Sequence, residues 1–204
     1  MVKPSAAVSS RLVTVVVAAG LVGLTGCASE NPPPASPPPS PASADPGVVA
    51  LAPPYRHPTE GYQVRPPVGW VQQATAPQDG ISVLFSSPTP DSSGQNSFTS
   101  NLNVFITPAR GTLDDSVATT IGTYPSVLRN YQLITNDPTV IAGDRPAHLL
   151  GGTYDVPGVG RLQNLQLVVV DAGKLYTVTV TCPEHSYPEL RKTALAALSS
   201  FIPG

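Results

Sequence analysis

Charge is scarce in this 204-residue chain: only 12% of its residues are Asp, Glu, Lys or Arg. No stretch concentrates one sign, so neither an acidic tail nor a polybasic patch is present. Eleven basic residues against thirteen acidic ones offer no basic face for a nucleic acid. Cysteine is nearly missing too. Cys27 and Cys182 are the whole complement, too few for a disulfide framework. No apolar run reaches the ~20 residues that a helix needs to span a bilayer. The chain also lacks the Gly-x-Ser-x-Gly elbow of a hydrolase. A Gly-rich phosphate loop, a dinucleotide fingerprint and an Asn-x-Ser/Thr acceptor are absent as well.

Small residues and proline are plentiful instead, and Arg outnumbers Lys 8 to 3, a bias that suits a GC-rich bacterial genome. The N-terminus is organised as a targeting segment. Lys3 and Arg11 make a positive lead-in, Leu12 to Leu24 is a short apolar run, and Leu24-Thr25-Gly26-Cys27 follows. That tetrad resembles the bacterial lipobox. The resemblance implies cleavage between Gly26 and Cys27, a diacylglycerol on the Cys27 sulfur and an acyl group on its freed amine. Removing residues 1–26 takes away two basic residues and no acidic ones. The mature chain then carries 9 basic against 13 acidic residues, a formal charge of −4. Two or more acyl chains hold a protein stably at a bilayer. No basic residue lies between Cys27 and Arg56, so the lipid must do all the anchoring. The expected location is the outer face of the cytoplasmic membrane.

Residues 27–54 read as the lipidated cysteine and a low-complexity stalk. Asn31-Pro-Pro-Pro-Ala-Ser-Pro-Pro-Pro-Ser-Pro-Ala-Ser has no apolar periodicity and no core to bury. Proline-rich chain favours the extended polyproline form at ~3.1 Å per residue, a reach on the order of 70–80 Å. Ser36, Ser40 and Ser43 suit O-glycosylation, or belong to an unmodified spacer. The short patch Val48-Val49-Ala50-Leu51 either docks on the domain or stays loose.

The folded domain is expected over 55–204, long enough to bury a core. Period-two alternation predicts strands at 60–65, at 81–86 with Ile81, Val83 and Phe85 inward, and at 101–107. Between the last two lies a polar stretch, 87–100, expected to be mobile or disordered. Thr112 caps a helix whose Leu113, Val117, Ile121, Tyr124 and Leu128 share a face. Pro125 is expected to bend or end it near Thr123. Residues 131–141 read as extended with a turn at Asn136-Asp137-Pro138. Close turns then join strands at 145–154, 161–170 and 174–182 into antiparallel pairs. Ser186-x-x-Glu189 looks like a capping box opening a last amphipathic helix. The order predicts an α+β domain: one antiparallel sheet flanked by helices.

At this level of detail the chain resembles the actinobacterial LpqN/LpqT lipoprotein family, whose domain is similar to the PsbP-like fold. The matching blocks are Tyr62 with Pro67-Val68-Gly69-Trp70, Leu102-Asn103-Val104-Phe105-Ile106, and Lys174-Leu175-Tyr176-Thr177-Val178-Thr179-Val180 running into the final helix. The resemblance implies an α/β/α sandwich acting as a binding or assembly module without shared catalytic residues; no cofactor or metal is expected. Its partner would be an envelope protein, lipid or glycan, reached from the membrane through the Cys27 anchor.

Residue by residue, chemistry is thin. Cys182, Glu184 and His185 lie close in sequence, but His57 and His148 are remote and zinc sites bring ligands in pairs. Cys182 reads as a small buried side chain on the apolar side of its strand. Asp114 and Asp115 diverge by ~100° on a helix and serve its dipole rather than a substrate. Arg145 and His148 fall on opposite faces of a strand. Trp70 is a core anchor or a stacking platform for a ligand. Two alternatives to a binding module stand. One is an envelope hydrolase, which requires a Ser, Cys or Asp within hydrogen-bond reach of His148 or His185. The other is a surface antigen with no dedicated ligand.

Overall fold

A computed structural model describes residues 49–74, 80–91 and 97–204. The expected cleavage site, Cys27 and the stalk as far as residue 48 lie outside the described residues, whereas its last residues, 49–54, are described. Nine strands and two helices follow one another in the described chain. The short strands β1 (Tyr55–Arg56) and β2 (Gln63–Val64) pair with each other. The other seven form one sheet: β3 (Val71–Gln72), β4 (Ile81–Ser86), β5 (Asn101–Pro108), β6 (Gln132–Ile141), β7 (Arg145–Val156), β8 (Gly160–Asp171) and β9 (Lys174–Pro183). Their order is β3-β4-β5-β9-β8-β7-β6, antiparallel throughout. Helix α1 (Leu113–Val127) joins β5 to the far edge β6, and helix α2 (Tyr187–Ser199) follows β9.

Side-chain alternation sorts the two faces. On one, Leu165, Leu167 and Val169 of β8 and Tyr176, Val178 and Val180 of β9 meet Ala194, Ala197, Leu198 and Phe201. On the other, Leu150 and Val168 lie with Val117 of α1, and Tyr154 and Leu162 with Tyr124 and Leu128. One helix thus covers each face, in an α/β/α sandwich. This second layer is more polar. Asn164, Gln166, Thr179 and Thr181 are buried there, so they need partners. The Tyr124 hydroxyl donates to Gln166 Oε1 at 2.8 Å, and the Gly152 amide donates to Asn164 Oδ1 at 3.0 Å. The Ala172-Gly173 hairpin between β8 and β9 has positive φ at both residues, 47° and 75°, as a tight primed turn requires.

Four local expectations are corrected. Helix α1 runs through Pro125 to Val127. Proline removes a single ladder bond near the helix end, and Tyr124 and Leu128, both buried, hold the last turn in place. The Leu128 amide resumes the ladder onto the Tyr124 carbonyl at 2.8 Å. Residues 132–141 form one unbroken strand with no turn at Pro138. Strand β6 is the sheet edge, where a missing N–H costs no ladder bond. Stretch 87–100 is anchored at both limbs. Asp91 and Phe98 exchange two backbone hydrogen bonds of 2.8 Å, Ser87 bonds to Ser100, and the Phe98 ring is buried; residues 92–96 lie outside the described residues. Ser186 makes no capping bond, because the 3-10 turn Glu184–Ser186 already places it in helical φ/ψ. The capping at Thr112, in contrast, is present: its hydroxyl accepts from the Asp115 amide, and Asp115 Oδ2 accepts from the Thr112 amide at 2.9 Å.

Upstream of β1 the chain is already docked. Leu51 forms an antiparallel bridge with Pro67 and packs on the core. After α2, Ile202 bridges to Gln63, which brings Phe201 against Tyr62 and Tyr176 at ring distances of 5.7 and 5.4 Å.

Phe201 is fully buried and closes the core from outside the sheet. Phe201→Ala should cost about 3–5 kcal/mol in urea unfolding; a loss below 1 kcal/mol would mean that the C-terminal segment is not docked. The Thr112 amide, and then its hydroxyl, hold the Asp115 carboxyl below its ordinary pKa. A depressed folded pKa stabilises fully above the unfolded value of about 4 and is lost as pH falls through the folded one. Asp115→Asn should therefore flatten the acid limb of the stability profile, with little effect of pH on the difference above pH ~5.

Candidate functional site

Chemistry-bearing side chains converge at one end of the sheet, where β4 and β9 finish and β5 begins. An open groove of about 260 Å³ is lined by Trp70, Ser87, Ser100, Ser186, Glu189 and Leu190. Trp70 arrives on the turn Pro67-Val68-Gly69-Trp70, in which the Trp70 amide donates to the Pro67 carbonyl at 3.2 Å. Gly69 has φ +83°, the left-handed position of a type II turn. The half-buried indole packs on the main core and also walls the groove. This packing is that of the core anchor read from the sequence.

Behind the groove, Asp91 Oδ2 accepts from the Ser186 hydroxyl at 2.8 Å and lies 2.8 Å from His185 Nε2. A carboxylate within reach of His185 meets the distance condition of the hydrolase reading. Its order is wrong for nucleophilic activation, however, because the serine hydroxyl is turned to the carboxylate and not to the imidazole. His148, the other histidine considered, has Nε2 2.7 Å from Asn136 Oδ1. It lies on the opposite sheet face from Arg145, whose Nε pairs with Asp171 at 3.3 Å.

The neighbours Cys182, Glu184 and His185 do not converge. Glu184 Oε1 accepts from Arg161 Nε at 3.3 Å, while His185 turns to Asp91. The Arg161 guanidinium also reaches Asp155 Oδ1, Gln132 Oε1 and Thr153 Oγ1, which ties β6, β7, β8 and the 3-10 turn together. Among the described residues, no group of three or more His, Cys, Asp and Glu is arranged to hold a metal ion. Cys182 is fully buried, and burial, with the Asp91 charge second, pushes its thiol up to about 12. Sequence reasoning missed Asp91 altogether. It sits in a polar stretch without periodicity, and only the pairing of Asp91 with Phe98 brings it under the 3-10 turn.

The thiol makes a direct check on this corner. In a Cys27→Ser background, Cys182 should resist a water-soluble thiol reagent at pH 8 and react once urea unfolds the chain. Rapid labelling of the native protein would show that the end of β9 is open.

A family model described as PsbP matches residues 52–202. No curated protein matches the chain. Among solved structures, cyanobacterial PsbP (CyanoP) from Synechocystis sp. PCC 6803 is 21% identical with a TM-score of 0.55, over 81% of this chain and 99% of that one. LpqN of Mycobacterium tuberculosis, described as involved in cell envelope biogenesis, is 12% identical with a TM-score of 0.54, over 74% of this chain and 90% of that one. PA94 of Pseudomonas aeruginosa, a protein of unknown function, is 16% identical with a TM-score of 0.52, over 76% and 97%. At these identities the likenesses speak for the fold, and the family match covers most of the sequence. The chain belongs to the PsbP family.

Proposed function

We propose that this protein is a lipid-anchored lipoprotein of the bacterial cell envelope, of LpqN type, whose PsbP-family domain works as a non-enzymatic binding or assembly module. The observation that carries the reading is Leu24-Thr25-Gly26-Cys27 closing a short apolar run, with a Pro-rich segment between it and the domain. Cys27 is the membrane attachment, through diacylglycerol on sulfur and acylation of the amine. The contacts of the domain support a binding role. The side chains that might have carried chemistry are engaged in structural bonds: Glu184 with Arg161, His148 with Asn136, and Cys182 inside the core. What remains available is a shallow groove with one aromatic wall and polar rims, suited to holding a partner in the envelope, whether protein, lipid or glycan.

The pair of His185 and Ser186 on Asp91 keeps a hydrolase as the second reading. A serine-directed fluorophosphonate probe separates the two: stable labelling that Ser186→Ala abolishes would favour the enzyme, and no labelling favours the module.

The anchor is tested in cells. Cys27→Ser should appear in the culture medium and lose incorporation of an alkyne-bearing fatty acid that the parent chain carries. Equal membrane retention of both forms would refute the anchor.

A further inference from the structure

The turn that delivers Trp70 carries the most exposed apolar side chains at this edge of the sheet. Val68 is 60% and Val71 56% exposed. They flank the indole, and the outward side of Gly69 meets no atom within 4 Å. The turn is therefore a projecting apolar tip on a pedestal, since Trp70 is packed on the main core and β3 pairs with β4. A solvent-facing valine on each side of a half-buried tryptophan suits a medium that is apolar at depth and polar at its surface.

The chain leaves the domain beside that tip. Leu51 is bridged to Pro67 in antiparallel sense, and the Ala52 amide donates to the Pro66 carbonyl at 2.8 Å. Read backwards from Leu51, the backbone therefore heads in the direction in which Pro67 continues to Val68. The Arg65 guanidinium fastens this junction by donating to the Ala52 and Leu51 carbonyls. Residues 28–50 thus lead from this corner towards Cys27.

We propose that the Pro67–Val71 turn is a second, weak membrane contact, which inserts Val68, Val71 and the edge of Trp70 into the interface of the bilayer that holds the Cys27 lipid. The occupant is phospholipid. This inference rests on the anchored reading. Few side chains cannot hold an untethered domain on a membrane, but a tether that confines the domain to within ~70–80 Å of the bilayer keeps the two at high local concentration. Weak insertion is then enough. The length of the extended stalk limits its greatest reach and leaves close approach open. Charge contributes little: Arg65 at the junction and Glu189 on the groove on which Trp70 stands are of opposite sign. Insertion is accordingly indifferent to anionic lipid.

Trp70 is the sole tryptophan, so its fluorescence reports the contact. The chain from Cys27 onward is coupled through that thiol to a maleimide lipid in phosphatidylcholine vesicles, Cys182 being shielded by burial. This supplies the tether without depending on native lipidation. The expected result is a blue-shifted Trp70 emission quenched by acyl chains brominated near the headgroup. Added salt or phosphatidylglycerol should leave it unchanged, and the Val68→Ser, Val71→Ser double variant should lose it while keeping the parent circular dichroism. Emission equal to that of the free chain, with no quenching, would overturn the proposal and leave the tip to a protein partner. Quenching that survives the double variant would overturn it as well. Neither failure bears on the anchor, which the release of Cys27→Ser from cells decides separately.

Discussion

Burial of β8 and β9 on both faces is the constraint on which the rest of this structure depends. A strand sandwiched between two helices has no side chain to leave in water, so each must be satisfied by packing or by a hydrogen bond. The chain meets this asymmetrically. Towards α2 the two strands present Leu165, Leu167, Val169, Tyr176, Val178 and Val180, a dry layer closed by Phe201. Towards α1 they present Asn164, Gln166, Thr179 and Thr181, with Gln166 accepting from Tyr124 and Asn164 from the Gly152 amide. Helix α1 therefore needs a tyrosine at position 124, where an apolar residue of that size would leave Gln166 Oε1 without its donor. The Tyr124 hydroxyl is the donor, and desolvation raises its pKa further.

The same constraint sends the variable chemistry to the periphery. With both faces of the sheet taken up by packing, exposed polar and apolar groups gather where strands end. The groove at Trp70 lies at such an end, beside Asp91, His185 and Ser186. The tip at Val68–Val71 lies at the short edge strand β3, whose two residues offer little backbone for another chain to pair with. At the opposite edge, β6 is long and exposed on most of its residues. Pro138 brings no N–H to this edge, and the register against β7 is irregular between Leu133 and Thr135. Both are features that discourage edge-to-edge association.

How far the sequence foretold this depended on whether the determining contacts were local. Alternation in β4, β5, β8 and β9, and the spacing of Val117, Tyr124 and Leu128, are periodic signals that survive without tertiary information. The Thr112–Asp115 cap is equally local. The failures share a cause. Pro125 and Pro138 break structure only where their missing N–H is needed, and that depends on helix end and sheet edge, which sequence does not display. Ser186 and Glu189 stand at capping-box spacing, but Asp91, 95 residues distant along the chain, takes the serine hydroxyl. Stretch 87–100 looked loose because its organising residues, Asp91 and Phe98, face each other across a polar gap with no periodicity. At the site, Trp70 was legible as a candidate, and the partners that build its groove were not.

The proposed function makes this PsbP-family domain a binding surface that an N-terminal lipid anchor would keep at the membrane. The most direct test is photo-crosslinking in intact cells from the groove rim, with a photoreactive residue in place of Ser87 or Glu189, followed by mass spectrometry. The account predicts adducts to one or a few envelope components that vanish when Trp70 is replaced by alanine in a chain of unchanged abundance. Adducts dominated by cytoplasmic proteins, or none above those from an exposed control position on α1, would contradict it.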